Sequence, residues 1–317
     1  LLQLSKTTKR KTLYSSINSS SSNLSQPQRN ELTDHSTHLK VQIDRNRLFE
    51  DGCLLLEKFG HPFFFFDISY DDEAGIGIGP TREFFSSLGL EFCKTKRNMW
   101  RPHFLTKTEE NDESFVENPQ GLYPMINAPV HLFELLGKLC GKAVEMDYLI
   151  SIPFSTAFFK AFKGLDVGLE EIDPQLARSL QTATPQSMEF LPFVYPGTEI
   201  ELKEGGKDIE ITEENFEEYK QLVKKFTFNL DAIEAFKRGF HSIISPGFDS
   251  FFSPTEFIHL ICGNELGQAK LTITDFLENT IISHGYTSGS PQIAQLFEVI
   301  ESFSAEHQKL FVKFVTG

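Results

Sequence analysis

The sequence lacks a long hydrophobic run, and this absence bounds the class of protein. No apolar stretch reaches the roughly 18 residues that a membrane-spanning helix needs, and residues 1–4 are too short for the apolar region of a signal peptide. Of the 317 residues, 40% are hydrophobic, which is enough to bury one large core or two smaller ones. We therefore expect a globular chain and no membrane partner.

Cysteine is scarce as well. The four cysteines are Cys53, Cys93, Cys140 and Cys262. They lie too far apart for a metal-binding knuckle or a CxxC motif, and each has apolar neighbours. This usage is typical of reduced core thiols in an intracellular protein, in the cytoplasm, the nucleus or both. His103 and His131 have no second ligand at metal spacing, so no metal site is predicted.

Positive charge is the third shortage. The chain has 30 Lys and Arg against 44 Asp and Glu, a formal net charge of −14 at pH 7, which argues against nucleic acid as a partner. The acid is concentrated, because residues 166–218 hold fourteen acidic and three basic side chains, a net charge of −11. Two interpretations stay open: a merely solvated face, or a surface that steers a basic partner toward the chain.

Residues 1–38 differ from the rest in composition. They contain a basic cluster at positions 6–11 and a tract rich in serine and asparagine from Ser15 to Ser25. Such a segment cannot bury enough apolar surface to offset the entropy lost on ordering. We expect a disordered linker here and folded structure from about Leu39.

A glycine-rich segment at 75–79 follows a predicted strand, 62–70, and precedes a predicted helix, 81–93. The context is that of a phosphate loop, but the spacing is GxGxG where such a loop needs GxGxxG, and Asp72 with Glu73 would repel a pyrophosphate. A tight turn is the better interpretation, and we predict no cofactor.

The stretch His131–Phe162 has a clear helical period. Apolar residues recur at helical spacing from Leu132 to Met146, which predicts a helix of about five turns with one buried face. Gly137 and Gly141 lie on the flank of that face, where each glycine costs about 1 kcal/mol of helix propensity unless close packing compensates. We therefore expect another element to pack closely against this helix.

The pattern changes after Phe162. Asp173 and Pro174 are typical of a helix N-cap and first helical residue, and Leu176 with Leu180 form an apolar pair one turn apart. The predicted elements that follow are strands at 190–194, 199–202 and 209–211 and helices from Thr212 and over 229–244. They indicate a small acidic α/β unit inserted between helical parts.

The carboxy-terminal part is predicted to be helical. Ser253 to Glu256 read SPTE, a capping box with proline at the first helical position, and Gly263 ends that helix. Further helices are predicted over 274–284, 292–302 and 305–315. The fold class is therefore α+β, mainly α.

Five segments carry a family resemblance in their residue order. They read FFDISYDDEAGIGIGPTREFF, FELLGKLCGKAVEMDYLISIPFSTAFFK, AFKRGFHSI, FSPTEFIHLICG and FSAEHQKLFVKFVTG, from Phe65, Phe133, Ala235, Phe252 and Phe303. These segments resemble the HECT family of ubiquitin ligases, in family order and at roughly family spacing, over about residues 40–317. The glycine-rich segment and Asn98–Arg101 are most similar to the ubiquitin-fusion-degradation branch.

The resemblance implies the amino-terminal lobe of a HECT domain. Its large helical part would span residues 39–162 and 245–317, interrupted at 163–244 by a small α/β subdomain that docks a ubiquitin-conjugating enzyme. In the family, ubiquitin passes from that enzyme to a cysteine in a carboxy-terminal lobe and then to a substrate lysine. None of the four cysteines lies in a segment like the catalytic one, and Gly317 falls near the family's hinge. We expect the catalytic lobe to be absent, no catalytic residue in this chain, and no activity of this fragment alone.

The resemblance also implies where the partner docks. The matched groove positions are Leu176, Leu180, Leu191 and Ile233. Ile233 stands where the family has an aromatic residue, which implies an altered partner preference. The loop after Leu180 is shorter than usual, so Phe190 or Met188 would replace its aromatic side chain. Ordinary core packing is the alternative role for the four matched residues.

The predicted function is a part of a HECT-type ubiquitin-protein ligase. Its predicted partners are a ubiquitin-conjugating enzyme, the ubiquitin that this enzyme carries, and a substrate protein bound through regions outside this chain. The alternative is a non-catalytic helical scaffold for protein interactions. Continuation beyond Gly317 into a cysteine-bearing segment would separate the two.

Overall fold

The computed structural model describes residues 37–75, 77–103, 113–263 and 270–316. The predicted linker, 1–38, lies outside these residues except for its last two, which belong to the first strand. The chain divides into two compact units, residues 1–263 and 264–317. Each unit is described by itself.

A two-stranded parallel sheet opens the first unit. Strand β1 (Thr37–Ile43) pairs with strand β2 (Phe64–Tyr70), so that Ile43 lies opposite Tyr70. Parallel neighbours cannot be joined by a hairpin, and the connection contains helix α1 (Leu48–Phe59). The predicted strand 62–70 is present as β2, which starts two residues later than the predicted Pro62.

Helices form most of the rest of the first unit. Among its described residues they are α2 (Ile78–Phe92), α3 (Val130–Met146), α4 (Thr156–Phe162), α5 (Leu169–Ile172), α6 (Pro174–Thr182), α7 (Pro185–Met188), α8 (Phe216–Phe228), α9 (Leu230–His241) and α10 (Pro254–Cys262). Short 3-10 turns occur at Arg45–Arg47, Thr95–Arg97, Gly206–Asp208 and Phe248–Phe251. The predicted class, α+β and mainly α, is confirmed.

Helix α9 crosses the central helix α3 at very short range. A Cβ atom on Gly137 would lie 2.1 Å from the carbonyl oxygen of Phe236, and a Cβ atom on Gly239 would lie 1.9 Å from that of Glu134. Real side chains do not fit at these distances, so the two backbones approach because both positions are glycine. The predicted close packing against α3 is confirmed.

Gly137→Ala should lower the free energy of unfolding by about 1–3 kcal/mol, because the added methyl group is accommodated only if helix α9 moves. Gly79→Ala in helix α2 is the matched control, since no other element of the described chain lies within 4 Å of its Cβ position and alanine has the higher helix propensity. Thermal or denaturant unfolding measures both variants. Equal stability would mean that the crossing tolerates a methyl group.

One buried charge ties this core to the sheet. Trp100 and Phe133 meet edge-on, with 5.0 Å between ring centroids, and both are buried. Lys142 of α3 is fully buried in the same unit, and its Nζ donates to the carbonyl oxygen of Phe64 at 2.5 Å and to Glu145 at 2.6 Å. These two acceptors offset the cost of desolvating the ammonium group.

A second, smaller cluster of buried side chains lies between residues 126 and 223. We call the part of the first unit built around it, residues 164–228, the small subdomain. The three strands predicted here are wrong, because the described residues form single antiparallel bridges, Pro192 with Glu210 and Val194 with Glu201. Pro192 has no N–H to extend a ladder, and the chain reverses at Gly197, where φ is +72°.

Two predicted helices of this region have other boundaries. Helix α8 begins at Phe216 and not at Thr212, because the N–H of Thr212 binds the Asn215 side chain at 2.8 Å in a turn that precedes the helix. Helix α9 begins after Asn229, whose φ of +37° separates it from α8, and it ends at His241 rather than at residue 244. The predicted subdomain, 163–244, included α9. In the structure α9 packs in the larger cluster of buried side chains of the first unit, which we call the first core.

The second unit, described over 270–316, is helical. Its elements there are α11 (Ile273–Asn279), α12 (Pro291–Ser302) and α13 (Ala305–Thr316), around Phe276, Phe297 and Ile300. Helix α11 ends at Asn279, before the predicted His284, and the side chain of Ile281 beyond it is 93% exposed, so this residue adds little apolar contact to hold a further turn. Residues 245–317 were predicted as one part, whereas the structure divides them after Gly263.

Candidate docking site

Helix α6 is fixed by its own amino-terminal residues. Asp173 precedes Pro174, and its Oδ1 accepts a hydrogen bond from the N–H of Leu176 at 2.9 Å, which confirms the predicted N-cap. Leu176 and Leu180 then point into the small subdomain and are 8% and 6% exposed. Both predicted groove residues are therefore core residues of this subdomain.

The other side of this core comes from helix α8. Its residues Phe216, Tyr219 and Val223 are buried in the same cluster as Leu180. The Tyr219 ring packs edge-on against Phe193, with 5.3 Å between centroids. No site residue was predicted on this helix; its apolar spacing signals a buried face, but spacing alone does not say which helix that face meets.

Ile233, the fourth predicted groove residue, is not in this cluster. It is 1% exposed and lies on α9 in the first core. The close backbone contacts of Gly137 and Gly239 hold α9 against α3 and place Ile233 there. The structure thus brings Leu176 and Leu180 together with α8 and leaves Ile233 apart.

Phe190 and Leu191 are the exposed apolar residues of the segment that follows α7. They are 70% and 47% exposed. Phe190 has a φ of +68°, a left-handed conformation that is rare for a bulky side chain. The backbone beside it is held, because the Leu191 N–H donates to Met188 at 3.1 Å and the Leu191 carbonyl oxygen accepts from Ile211 at 2.9 Å. The neighbours therefore impose this conformation, and it presents Phe190 to solvent.

Exposed carboxylates are frequent around this pair in the sequence. They include Glu189, Glu199, Glu201, Glu204, Asp208, Glu210, Glu213 and Glu214. Basic residues pair with some carboxylates of the subdomain, as in Lys207 with Glu199 at 3.4 Å and Lys203 with Glu218 at 2.8 Å. These exposed pairs contribute little to stability, but the excess of negative charge gives the subdomain a field that attracts basic partners.

A cleft of about 360 Å³ opens between helices α5, α6 and α8. Its lining includes apolar side chains, Leu169, Ala177 and Leu180, and polar ones, Glu170, Gln181, Lys220 and Lys224. The cleft gives Leu180 its small exposed fraction. A cleft lined by both apolar and polar side chains can seat a side chain of a partner protein.

Three of the four cysteines are poorly suited to nucleophilic chemistry. Cys93 and Cys140 are buried, and Cys53 and Cys262 are half-buried. Burial raises the pKa of Cys53 and of Cys93 to about 12 and raises the pKa of Cys140 well above its ordinary value. A nucleophilic cysteine needs an accessible thiolate, which these three thiols do not supply.

Among the described residues, no group of three or more His, Cys, Asp and Glu side chains is arranged to hold a metal ion. No helix in that part of the chain combines the length and the apolar character needed to cross a membrane.

The sequence matches the model of a known protein family. The family model of the HECT domain, a ubiquitin-transferase domain, matches residues 86–317, which is more than half of the chain. The chain belongs to the HECT-domain family, as its five ordered segments predicted.

Three relatives show which branch the chain resembles. It is similar to E3 ubiquitin-protein ligase TRIP12 of Danio rerio, with 29% identity over 333 residues that cover 88% of this chain and 16% of the relative. Against E3 ubiquitin-protein ligase UPL3 of Arabidopsis thaliana the identity is 28% over 341 residues, 88% of this chain and 18% of the relative. Against ubiquitin fusion degradation protein 4 of Saccharomyces cerevisiae it is 27% over 319 residues, 89% of this chain and 21% of the relative. The predicted likeness to the ubiquitin-fusion-degradation branch is confirmed, and the chain spans only 16% to 21% of these relatives.

Proposed function

We propose that this chain is the part of a HECT-type ubiquitin ligase that docks a ubiquitin-conjugating enzyme, with the small subdomain as its docking surface. The observation that carries the proposal is the exposed pair Phe190 and Leu191, held by a fixed backbone beside the core that contains Leu176 and Leu180. A large apolar anchor among polar groups is typical of an interface hot spot. The net charge of residues 166–218 adds attraction for a basic partner surface.

In this proposal the chain contributes proximity to catalysis. It holds the charged conjugating enzyme where a thiol elsewhere in the ligase can accept the ubiquitin, so a bimolecular encounter becomes an intramolecular one. The raised pKa values of Cys53, Cys93 and Cys140 support this division of labour. Substrate binding through other regions of the ligase and an intracellular location belong to the same proposal.

A titration of the chain against a panel of ubiquitin-conjugating enzymes tests the docking function. Chemical shifts or calorimetry report binding, and we expect a subset of the panel to bind with shifts concentrated in residues 164–228. Silence across a broad panel would contradict the proposal and favour the non-catalytic scaffold.

Incubation with activating enzyme, conjugating enzyme, ATP and ubiquitin should give no adduct of this chain that a reductant cleaves. The physical reason is that burial raises the pKa of Cys53, Cys93 and Cys140, so these three thiols do not supply an accessible thiolate. Gels run with and without reductant measure the outcome, and the thioester of the conjugating enzyme is the internal positive control. A reducible adduct that disappears in Cys262→Ser, the variant of a half-buried thiol, would overturn the division of labour.

A further inference from the structure

Arg101 stands at the junction between the first core and the small subdomain. Its backbone N–H donates to the carbonyl oxygen of Tyr123 at 2.9 Å. The preceding residue, Trp100, is 1% exposed, and its indole Nε1 donates to the carbonyl oxygen of Phe92 at 2.8 Å. The main chain at Arg101 is therefore fixed by the first core.

The side chain of Arg101 reaches the other way. Its guanidinium donates through Nη2 to Oδ2 of Asp173 and through Nη1 to the Tyr195 hydroxyl at 2.9 Å. Guanidinium has only donors, so Tyr195 accepts from it and donates onward to Thr227 Oγ1 at 2.9 Å, and Thr227 donates to the Val223 carbonyl oxygen at 2.7 Å. One side chain thus contacts the cap of α6 directly and the backbone of α8 through two hydroxyls.

Asp173 joins two tasks at this point. Its Oδ1 caps α6 by accepting from Leu176, and its Oδ2 accepts from Arg101. The pair is shielded from water, because the side chains of Arg101 and Asp173 are 9% and 18% exposed. Loss of one member of such a pair leaves an uncompensated charge in a poorly solvated place, and the neighbouring helix must move to hydrate it.

We propose that Arg101 is a positioning residue that sets helices α6 and α8, and with them the docking surface, relative to the first core. The expected effect on partner binding rests on the proposed docking function, whereas the expected effect on α6 and α8 does not. Arg101 lies 8% exposed beneath the surface, so its influence on a partner would pass through Asp173 and Tyr195. The positioning role also gives a function to the Asn98–Arg101 segment. This segment resembles one branch of the family but is not part of the docking surface.

The test compares Arg101→Gln, Arg101→Lys and Asp173→Asn with the wild-type chain. Arg101→Gln removes the charge, Arg101→Lys keeps it without the two-pronged geometry, and Asp173→Asn keeps an oxygen for the α6 cap while it removes the ion pair. Arg97→Gln is the matched control. The Arg97 side chain is also shielded, with 16% exposure, but its ion pairs are with Glu91 and Glu50, which lie outside the small subdomain.

Two readouts separate positioning from plain stability. Amide hydrogen exchange in α6 should accelerate by about tenfold or more in Arg101→Gln, while exchange in α3 and α9 stays at the wild-type rate. The Kd for a conjugating enzyme should rise by about three- to thirtyfold under conditions where every variant is folded. For Arg101→Lys, both the exchange rate in α6 and the Kd should lie between the values for Arg101→Gln and the wild type. Arg97→Gln should leave both at the wild-type values.

Each outcome decides. Wild-type exchange in α6 of both Arg101→Gln and Asp173→Asn would overturn the positioning role. Faster exchange with an unchanged Kd would overturn its link to docking. If the wild-type chain binds no conjugating enzyme, the proposed function fails, and the exchange data alone then support or overturn the part of the inference that concerns α6 and α8.

Discussion

Phe190→Asn should weaken binding of a conjugating enzyme by about 2 kcal/mol or more, which is a roughly thirtyfold rise in Kd. The phenyl ring is 70% exposed, so the free chain loses little when it is removed, whereas an interface would lose a large apolar anchor. Asparagine tolerates the left-handed backbone at this position better than phenylalanine does. The variant should therefore be at least as stable as the wild-type chain, and calorimetric titration measures the loss of affinity without a folding defect.

Phe251→Asn is the matched control for this variant. Phe251 is also an exposed phenylalanine, 62% accessible, but it lies at the end of a 3-10 turn outside the small subdomain. It should leave the Kd unchanged. If both variants bind like the wild-type chain, the Phe190 and Leu191 pair is not the anchor, and the cleft beside Leu180 becomes the next surface to mutate.

Local sequence rules predicted the parts of the site that depend on neighbouring residues. The cap at Asp173, the proline after it and the SPTE box at Ser253 all form as expected, because each involves hydrogen bonds within one helical turn. The sequence also predicted the helix α3 from its apolar period and the close contact at Gly137 from the glycine itself. These features need no knowledge of the tertiary fold.

The differences arise where tertiary contacts decide. Ile233 was assigned to the groove by family resemblance, and that assignment stays a prediction; in the structure the glycine contacts of α9 with α3 hold Ile233 in the first core. The predicted strands around Pro192 failed because a proline and a turn at Gly197 leave single bridges. The left-handed backbone of Phe190 is not visible in a sequence, since phenylalanine carries no preference for it. The partnership of Arg101 with Asp173, 72 residues apart, is likewise a product of the fold.

Leu180→Glu separates the groove interpretation from core packing, and we expect a folding defect. Leu180 is 6% exposed within the second cluster, which also contains Leu176 and Val223. A carboxylate in that place must be desolvated or must leave the core toward the cleft that Lys220 and Lys224 line, and the apolar contacts of the leucine are lost as well. The cost should be about 3 kcal/mol or more, concentrated in the small subdomain, so that α6 and α8 lose exchange protection while α3 and α9 keep theirs.

Leu180→Met is the matched control, because it conserves volume and apolar character and should cost less than about 1.5 kcal/mol. Hydrogen exchange and partner titration on both variants give a clear reading. Loss of binding together with loss of protection in Leu180→Glu means that Leu180 supports the docking surface from within. Native protection with lost binding in the same variant would mean that Leu180 contacts the partner itself through the cleft between α5, α6 and α8. The exposed fractions of Leu180 and Phe190 favour the first outcome, in which the buried leucines shape the surface and the exposed phenylalanine meets the partner.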